Sequence, residues 1–250
     1  MRSKKRLDLS LVERGLESSR ARAQARILAG DVIVGENRVD KAGYLVSETD
    51  LIRLKANSLP YVSRGGFKLQ AALQSWPGEI KNSVCLDVGA STGGFTDVLL
   101  QNGAQTVYAV DVGHNQLDYS LRIDPRVQVL EKKHILKIPE GFFDPKPSVA
   151  VVDVSFISLK KVLPAILKHL AESAWIYLLI KPQFEVGPEF IEKGGIVKNQ
   201  IARERALHQI LDLALRLGLQ IRGHRESPIQ GTDGNIEYLA GFLRSPGESR

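Results

Sequence analysis

The chain reads as an α/β protein in which a parallel sheet with crossover helices fills residues 64–250 and a small α+β unit occupies residues 1–55. Three observations predict this. From Gly66 onward short β-rich runs alternate with helical segments, the pattern of parallel strands joined by crossover helices. A glycine-rich turn, Gly89-Ala90-Ser91-Thr92-Gly93-Gly94, separates a candidate strand from a candidate helix. Before residue 55 the segments are shorter, two helical runs followed by alternation at the period of strands. The stretch Ala56-Asn57-Ser58-Leu59-Pro60-Tyr61, with its proline and weak periodicity, predicts a linker over 56–63.

In chain order, 7–14 and 18–28 read as short helices, Gly15 breaking the first and Gly30 standing where a C-terminal cap belongs. Residues 31–39 predict a hairpin about Gly35-Glu36-Asn37, and 50–54 a closing strand. In the larger unit the expected strands are 84–87, 106–111, 127–130, 149–153 and 175–180, with helices at 95–102, 159–170 and 201–217. Segments 219–226 and 237–242, joined by a loop rich in Gly, Asp, Asn and Pro, predict a terminal hairpin with an antiparallel edge strand.

Composition is that of a folded protein: 43% hydrophobic and 25% charged residues. The net charge of +6 is uneven, since residues 1–60 hold 12 Lys/Arg against 8 Asp/Glu and the remainder 22 against 20. The excess near the N-terminus predicts an anionic partner such as nucleic acid, because Lys and Arg gain affinity by releasing counterions from phosphates; a solvated helix face is the alternative. One cysteine, Cys85, excludes an internal disulfide and a cysteine-rich zinc site. Neither a signal-type apolar segment nor an 18-residue apolar span is present, which predicts a cytoplasmic protein without a membrane segment.

Three cofactors compete for the glycine-rich turn. A phosphate-binding P-loop needs Lys-Ser/Thr after its last glycine, and here Phe95-Thr96 follows. A dinucleotide turn wants a glycine where Ser91 stands, so NAD is the runner-up. Asp87, at the end of the preceding strand, repels phosphate but suits the cationic methionine moiety of S-adenosylmethionine. Asp111, ending the next strand, is placed to accept an adenosine ribose. The bland alternative is that both carboxylates cap neighbouring turns.

Lys68, Asp153, Lys181 and Glu237 form the candidate reaction centre. Asp153 and Lys181 follow strands, whose carboxyl ends line one crevice in an open parallel sheet. Glu237 begins a strand that, if antiparallel, points its start into the same crevice. Transfer of a methyl group to a hydroxyl requires a base and in-line positioning, and a lysine serves as base only when burial or a second cation destabilises its ammonium. A structural ion-pair cluster remains the competing explanation.

Arg64-Gly65-Gly66-Phe67-Lys68-Leu69, Asp87 to Phe95, Asp153-Val154-Ser155-Phe156-Ile157-Ser158-Leu159, Leu179-Ile180-Lys181-Pro182-Gln183-Phe184-Glu185 and Ser227-Pro228-Ile229 through Gly234-Asn235-Ile236-Glu237 closely resemble the TlyA family across nearly the whole chain. The resemblance implies an S4-like RNA-binding domain followed by an FtsJ-like, Rossmann-like class I methyltransferase domain. It further implies S-adenosylmethionine as cofactor and 2′-O-methylation of ribosomal RNA cytidines, with ribosomal RNA or ribosomal subunits as partners. It assigns Lys68, Asp153, Lys181 and Glu237 as a catalytic tetrad. Cofactor contacts fall to Asp87, Gly89, Ser91, Gly93, Gly94, Phe95, Asp111 and His134, and RNA contacts to Arg6, Arg14, Arg20, Arg22, Arg26, Arg38 and Arg64. One segment departs: where the family tends to carry Glu-Arg-Thr-Asn-x-Arg, this chain has Glu131-Lys132-Lys133-His134-Ile135-Leu136, so His134 replaces the asparagine and the final arginine is absent. His114, His169, His208 and His224 lack metal-ligand spacing and are expected to be surface or helix residues; no metal is assigned. The family's historical hemolysin label and a non-catalytic RNA-binding role are the rival readings. The first finds no apolar span or strongly apolar amphipathic helix, and the second must explain an intact tetrad.

Overall fold

The computed structural model describes residues 4–17, 19–28, 30–54, 60–231 and 234–246. Residues 56–59 of the expected linker lie outside these, as does Ser18 at the start of the second expected helix. The chain divides into two compact units, Met1–Pro60 and Tyr61–Arg250.

The smaller unit runs β1 (Lys5–Arg6), α1 (Leu7–Glu13), α2 (Arg20–Leu28), β2 (Val32–Val34), β3 (Asn37–Val39), β4 (Leu45–Val46) and β5 (Ile52–Leu54). Its antiparallel sheet has the order β3-β2-β5, and β1 pairs with β4. Leu7 and Leu11 of α1 pack with Ala23 and Ile27 of α2 against Val32, Val39 and Ile52, the helix spacing of four residues meeting the strand spacing of two. Strands β1 and β4 escaped the sequence reading because two residues carry no alternation. Under the helices Asp8 is fully buried. It accepts from Arg6, Arg20 and Gln24 side chains at 2.7–3.0 Å, and these donors, Arg6 foremost, hold its carboxyl well below the usual carboxylate range.

The larger unit is built on a seven-stranded sheet of order β11-β12-β10-β9-β6-β7-β8. Strands β6 (Val84–Val88), β7 (Thr106–Val110), β8 (Val127–Leu130), β9 (Val149–Val152) and β10 (Ala174–Ile180) are parallel. β12 (Tyr238–Arg244) lies antiparallel between β10 and β11 (Gln220–Glu226). The expected terminal hairpin is present, with β11 at the edge and β12 interior, antiparallel to both of its neighbours. Composition explains it: Leu239, Ala240 and Phe242 of β12 are buried, whereas β11 carries Arg222, His224, Arg225 and Glu226, charges that protect an edge from further pairing.

Helices α3 (Gly65–Ser75), α4 (Gly94–Gln101), α5 (Tyr119–Arg122), α6 (Leu159–Leu167) and α7 (Gln200–Arg216) surround this sheet. Alternation along β10 divides the core: Ile176, Leu178 and Ile180 face α6 and α7, and Tyr177 and Leu179 face α3 and α4. Each such buried aliphatic side chain contributes about 1.5–3 kcal/mol relative to exposure. Helix α5 was not foreseen, since a single turn capped by the Asp118 side chain on Ser120 N–H has no helical period to read. His169, expected at a surface or on a helix, is buried against Phe143. The strand order reverses at β6, whose neighbours are β9 and β7; in open α/β sheets that reversal opens a crevice beyond the carboxyl ends of the strands.

Candidate active site

A cavity of about 580 Å³ occupies that crevice. Four turns wall it: Gly89 and Ser91 after β6, Asp111 to Gly113 after β7, Lys133 to Ile135 after β8, and Asp153 to Ile157 after β9. Gly89 has φ +87°, and a Cβ there would run into the Asp153 carbonyl, so the β6 and β9 turns approach this closely only because the residue is glycine. Ser91, also left-handed at φ +48°, donates its N–H to Asp111 Oδ2 at 2.8 Å. The other Asp111 oxygen accepts from Gly113 N–H at 2.6 Å. A carboxylate has about four lone-pair sites, so Asp111 is oriented by these bonds and retains acceptor capacity toward the cavity.

Asp87 lies deeper. It is fully buried and its Oδ2 accepts from Thr96 Oγ1 at 2.6 Å, while Oδ1 is buried without a partner. Burial, with smaller contributions from the Asp153 and Asp111 charges, pushes its carboxyl up to about 7. Gly93, Gly94 and Phe95 stand apart from the cavity wall: Gly93 abuts Leu117 and Leu121, a Cβ on Gly94 would run into Ser63 and the start of α3, and Phe95 is buried in the core beside α3. The structure thus gives these three residues packing positions. His134 lines the cavity. Its Nδ1 accepts from Leu136 N–H at 3.2 Å, and a neutral ring that accepts at Nδ1 carries its proton on Nε2.

The four expected catalytic side chains form two pairs. Lys68 Nζ donates to Glu237 Oε2 at 2.6 Å, with both side chains buried. Lys181 Nζ lies 2.6 Å from Asp153 Oδ1, an ion pair off the axis of a hydrogen bond, and donates to Ser155 Oγ at 3.0 Å. Sheet register places three of the four. Ile180 is opposite Tyr238, and Leu178 is opposite Val152, so Lys181, Glu237 and Asp153 emerge at one end of neighbouring strands β10, β12 and β9. The antiparallel direction of β12 is what brings Glu237, at its start, to the end of its parallel neighbour. Lys68 comes from the first turn of α3.

Further side chains at this end carry no role that was read from the sequence. Phe156 is 92% exposed at φ +64°, lines the cavity and meets the Phe184 ring at 5.3 Å. Glu185 is buried, accepting from Ser158 Oγ at 2.6 Å and Leu159 N–H at 2.7 Å. Burial raises its carboxyl above the ordinary value, and these two donors oppose the rise. An aromatic and an acid flanking Asp153 and Lys181 were the signals available, but neither exposure nor burial can be read from one sequence.

Most of the expected RNA-contacting arginines are already engaged. Arg6 and Arg20 pair with Asp8, and Arg22 and Arg26 with Glu17. Arg14 donates to the carbonyls of Asp50, Ser47 and Glu48 at 2.7–3.2 Å. Arg6, Arg20 and Arg38 are nonetheless exposed, as is Arg64 at the start of α3. Among the described residues no cluster of His, Cys, Asp and Glu is arranged to hold a metal, and no helix is long and apolar enough to cross a membrane.

Comparison with known proteins assigns both units. Residues 5–52 match the S4 domain and residues 61–244 the FtsJ-like methyltransferase. The chain is 45% identical to hemolysin A of Brachyspira hyodysenteriae over 95% of this chain and 99% of that protein. It is 41% identical to the 16S/23S rRNA (cytidine-2′-O)-methyltransferase TlyA of Mycobacterium tuberculosis over 96% of this chain and 90% of that protein. A solved structure from Streptococcus thermophilus that carries the hemolysin name superposes with a TM-score of 0.73 at 42% identity, covering 98% of this chain and 90% of that one. This chain belongs to the TlyA family, an S4 domain followed by an FtsJ-like methyltransferase domain.

Proposed function

We propose that the protein transfers the methyl group of S-adenosylmethionine to the ribose 2′-hydroxyl of a cytidine in ribosomal RNA. The observation that carries this reading is the pair of lysine–carboxylate contacts, Lys181 with Asp153 and Lys68 with Glu237, at the sheet end beside the cavity. When bound, S-adenosylmethionine supplies a methyl group activated by its sulfonium. The residues present fit that cofactor. Asp87 Oδ1 is a buried acceptor without a partner, its carboxyl raised by burial, and a cationic amino-acid moiety would both pair with it and favour its charged form. Asp111 suits the ribose hydroxyls and the Nε2–H edge of His134 an acceptor on the adenine. Gly89 and Ser91 form the turn between them, and Gly93, Gly94 and Phe95 support that turn from behind.

At the reaction centre Lys181, held by Asp153 and Ser155, is placed to bond the attacking hydroxyl and, once its ammonium has released a proton to solvent, to take up the hydroxyl's proton, a role worth about 10²–10⁴ in rate. Lys68 and Glu237, a second ion pair of no net charge at the same sheet end, position the hydroxyl's surroundings. Phe156 offers an exposed ring on which an unstacked base can lie, the usual way proteins hold a splayed nucleotide. Affinity comes from the exposed arginines of the S4 domain and from Arg64, and a ribosomal substrate places the protein in the cytoplasm.

Labelled methyl transfer to purified small and large ribosomal subunits, followed by nuclease mapping, tests the reading. Label recovered as 2′-O-methylcytidine is the expected result; binding of S-adenosylmethionine with no transfer to either subunit overturns it.

A further inference from the structure

The turn after β10 and the turn after β9 are joined at four points, the first being the ion pair of Lys181 with Asp153 at 2.6 Å. Lys181 donates to Ser155 at 3.0 Å, Phe184 lies 5.3 Å from Phe156, and the Glu185 carboxylate accepts from Ser158 Oγ and Leu159 N–H. The first turn is internally rigid. Phe184 N–H bonds Lys181 O at 3.0 Å and Glu185 N–H bonds Pro182 O at 2.9 Å, so Lys181 and Glu185 are fixed relative to one another. The second turn holds Phe156 in a left-handed conformation that a phenylalanine adopts only under external constraint. It is anchored at Asp153, whose N–H bonds Val88 O at 3.0 Å, and at its far end by Glu185.

A carboxylate at the start of α6 would serve as an ordinary cap, yet Ser158 already caps this helix through Lys160 N–H at 3.1 Å. The acid that completes the cap comes from 26 residues away, in the turn that begins with Lys181.

We propose that Glu185 is a positioning residue for methyl transfer: its buried carboxylate locks the turn carrying Lys181 to the turn carrying Ser155 and Phe156. One contact thereby sets both the placement of the lysine that meets the hydroxyl and the seat of the target base. The proposal rests on the function proposed above. A misplacement near 1 Å costs on the order of 100-fold in rate, and releasing the clamp permits movement of that size.

The test compares wild type, Glu185→Ala, Glu185→Gln and Ser158→Ala by methyl transfer to ribosomal subunits, by calorimetric titration with S-adenosylmethionine and by thermal melting. Glu185→Ala is expected to lower kcat by about 100-fold and to raise KM for the RNA, with a smaller change in cofactor Kd. Glutamine keeps an acceptor for Leu159 N–H and can donate to Ser158 Oγ, so Glu185→Gln should recover most of the lost kcat. Ser158→Ala, which removes one of the two bonds, should fall between and serves as the readout if Glu185→Ala does not fold. Wild-type kcat and KM in a folded Glu185→Ala or Ser158→Ala overturns the proposal, as does a glutamine variant that folds but is as inactive as alanine, or a kcat loss matched by an equal loss of cofactor affinity. A wild type that methylates neither subunit overturns the reading of function and this proposal with it; an active wild type beside an equally active folded Glu185→Ala overturns the proposal alone.

Discussion

Lys181 and Asp8 show how the same pairing of charges serves two ends. Lys181 holds a carboxylate and a hydroxyl at the mouth of a cavity, where the proposed methyl transfer needs a proton to move. Lys181→Ala should therefore lower methyl transfer by at least about 100-fold while leaving S-adenosylmethionine affinity within a few-fold, as calorimetry beside a transfer assay would show. Asp8 is buried beneath donors from Arg6, Arg20 and Gln24, where nothing reacts. Its depressed pKa makes it a stabiliser: the folded state holds fewer protons than the unfolded one, so the contribution is present above the ordinary carboxylate pKa of about 4. It is lost as pH falls through the lower folded value. Melting of the S4 domain in acid should show this, and Asp8→Asn should both weaken the domain near neutrality and flatten its acid dependence. Arg14 spends its guanidinium on the carbonyls of Asp50, Ser47 and Glu48. Arg14→Ala is expected to cost about 1–2 kcal/mol of stability, read by denaturant unfolding.

At the scale of elements, the site is an arrangement of strand ends. The turns after β6, β7, β8 and β9 form the cavity, and the β10 to β12 pairing brings Glu237 to the same end of the sheet. The β6 turn is the least tolerant, because Gly89 has both a left-handed backbone and the Asp153 carbonyl against it. Gly89→Ala should cost about 1–3 kcal/mol in backbone strain and should abolish measurable cofactor binding, since relief of the clash moves the turn carrying Asp153. Full cofactor affinity in that variant, measured by calorimetry, would remove the turn from the site. The strands of this unit and helices α4 and α7 were legible within a residue or two and α6 within three, because uninterrupted apolar runs such as Val149–Val152 have few other destinations than a buried sheet. β1, β4 and α5 were not, being too short for any period to emerge. The order of the last two strands required weighing polarity, with Arg222 and Arg225 marking β11 as the edge.

For the whole molecule, charge and chemistry are divided between two units. Residues 1–60 carry an excess of four positive charges, and residues 61–250 contain the cavity and both lysine–carboxylate pairs. Removing residues 1–60 should spare cofactor binding but reduce methylation of ribosomal subunits by at least about 100-fold at physiological salt. The logarithmic salt dependence of subunit binding should also become shallower, by roughly 0.7–0.9 for each phosphate contact removed. By itself the sequence determined the class of fold, the glycine-rich turn and the charge excess, and it nominated the four residues of the proposed tetrad, because each is written in local pattern or in recognisable motifs. Only the tertiary structure decided which members of those motifs meet. It joined Lys68 to Glu237 across 169 positions, packed Gly93 against Leu117 and Leu121 and Phe95 into the core, engaged Arg14 with backbone carbonyls, and buried Glu185 beneath the turn of Phe156. These outcomes depend on strand order, direction and burial, which arise from contacts between residues distant in sequence, where neither period nor spacing carries information.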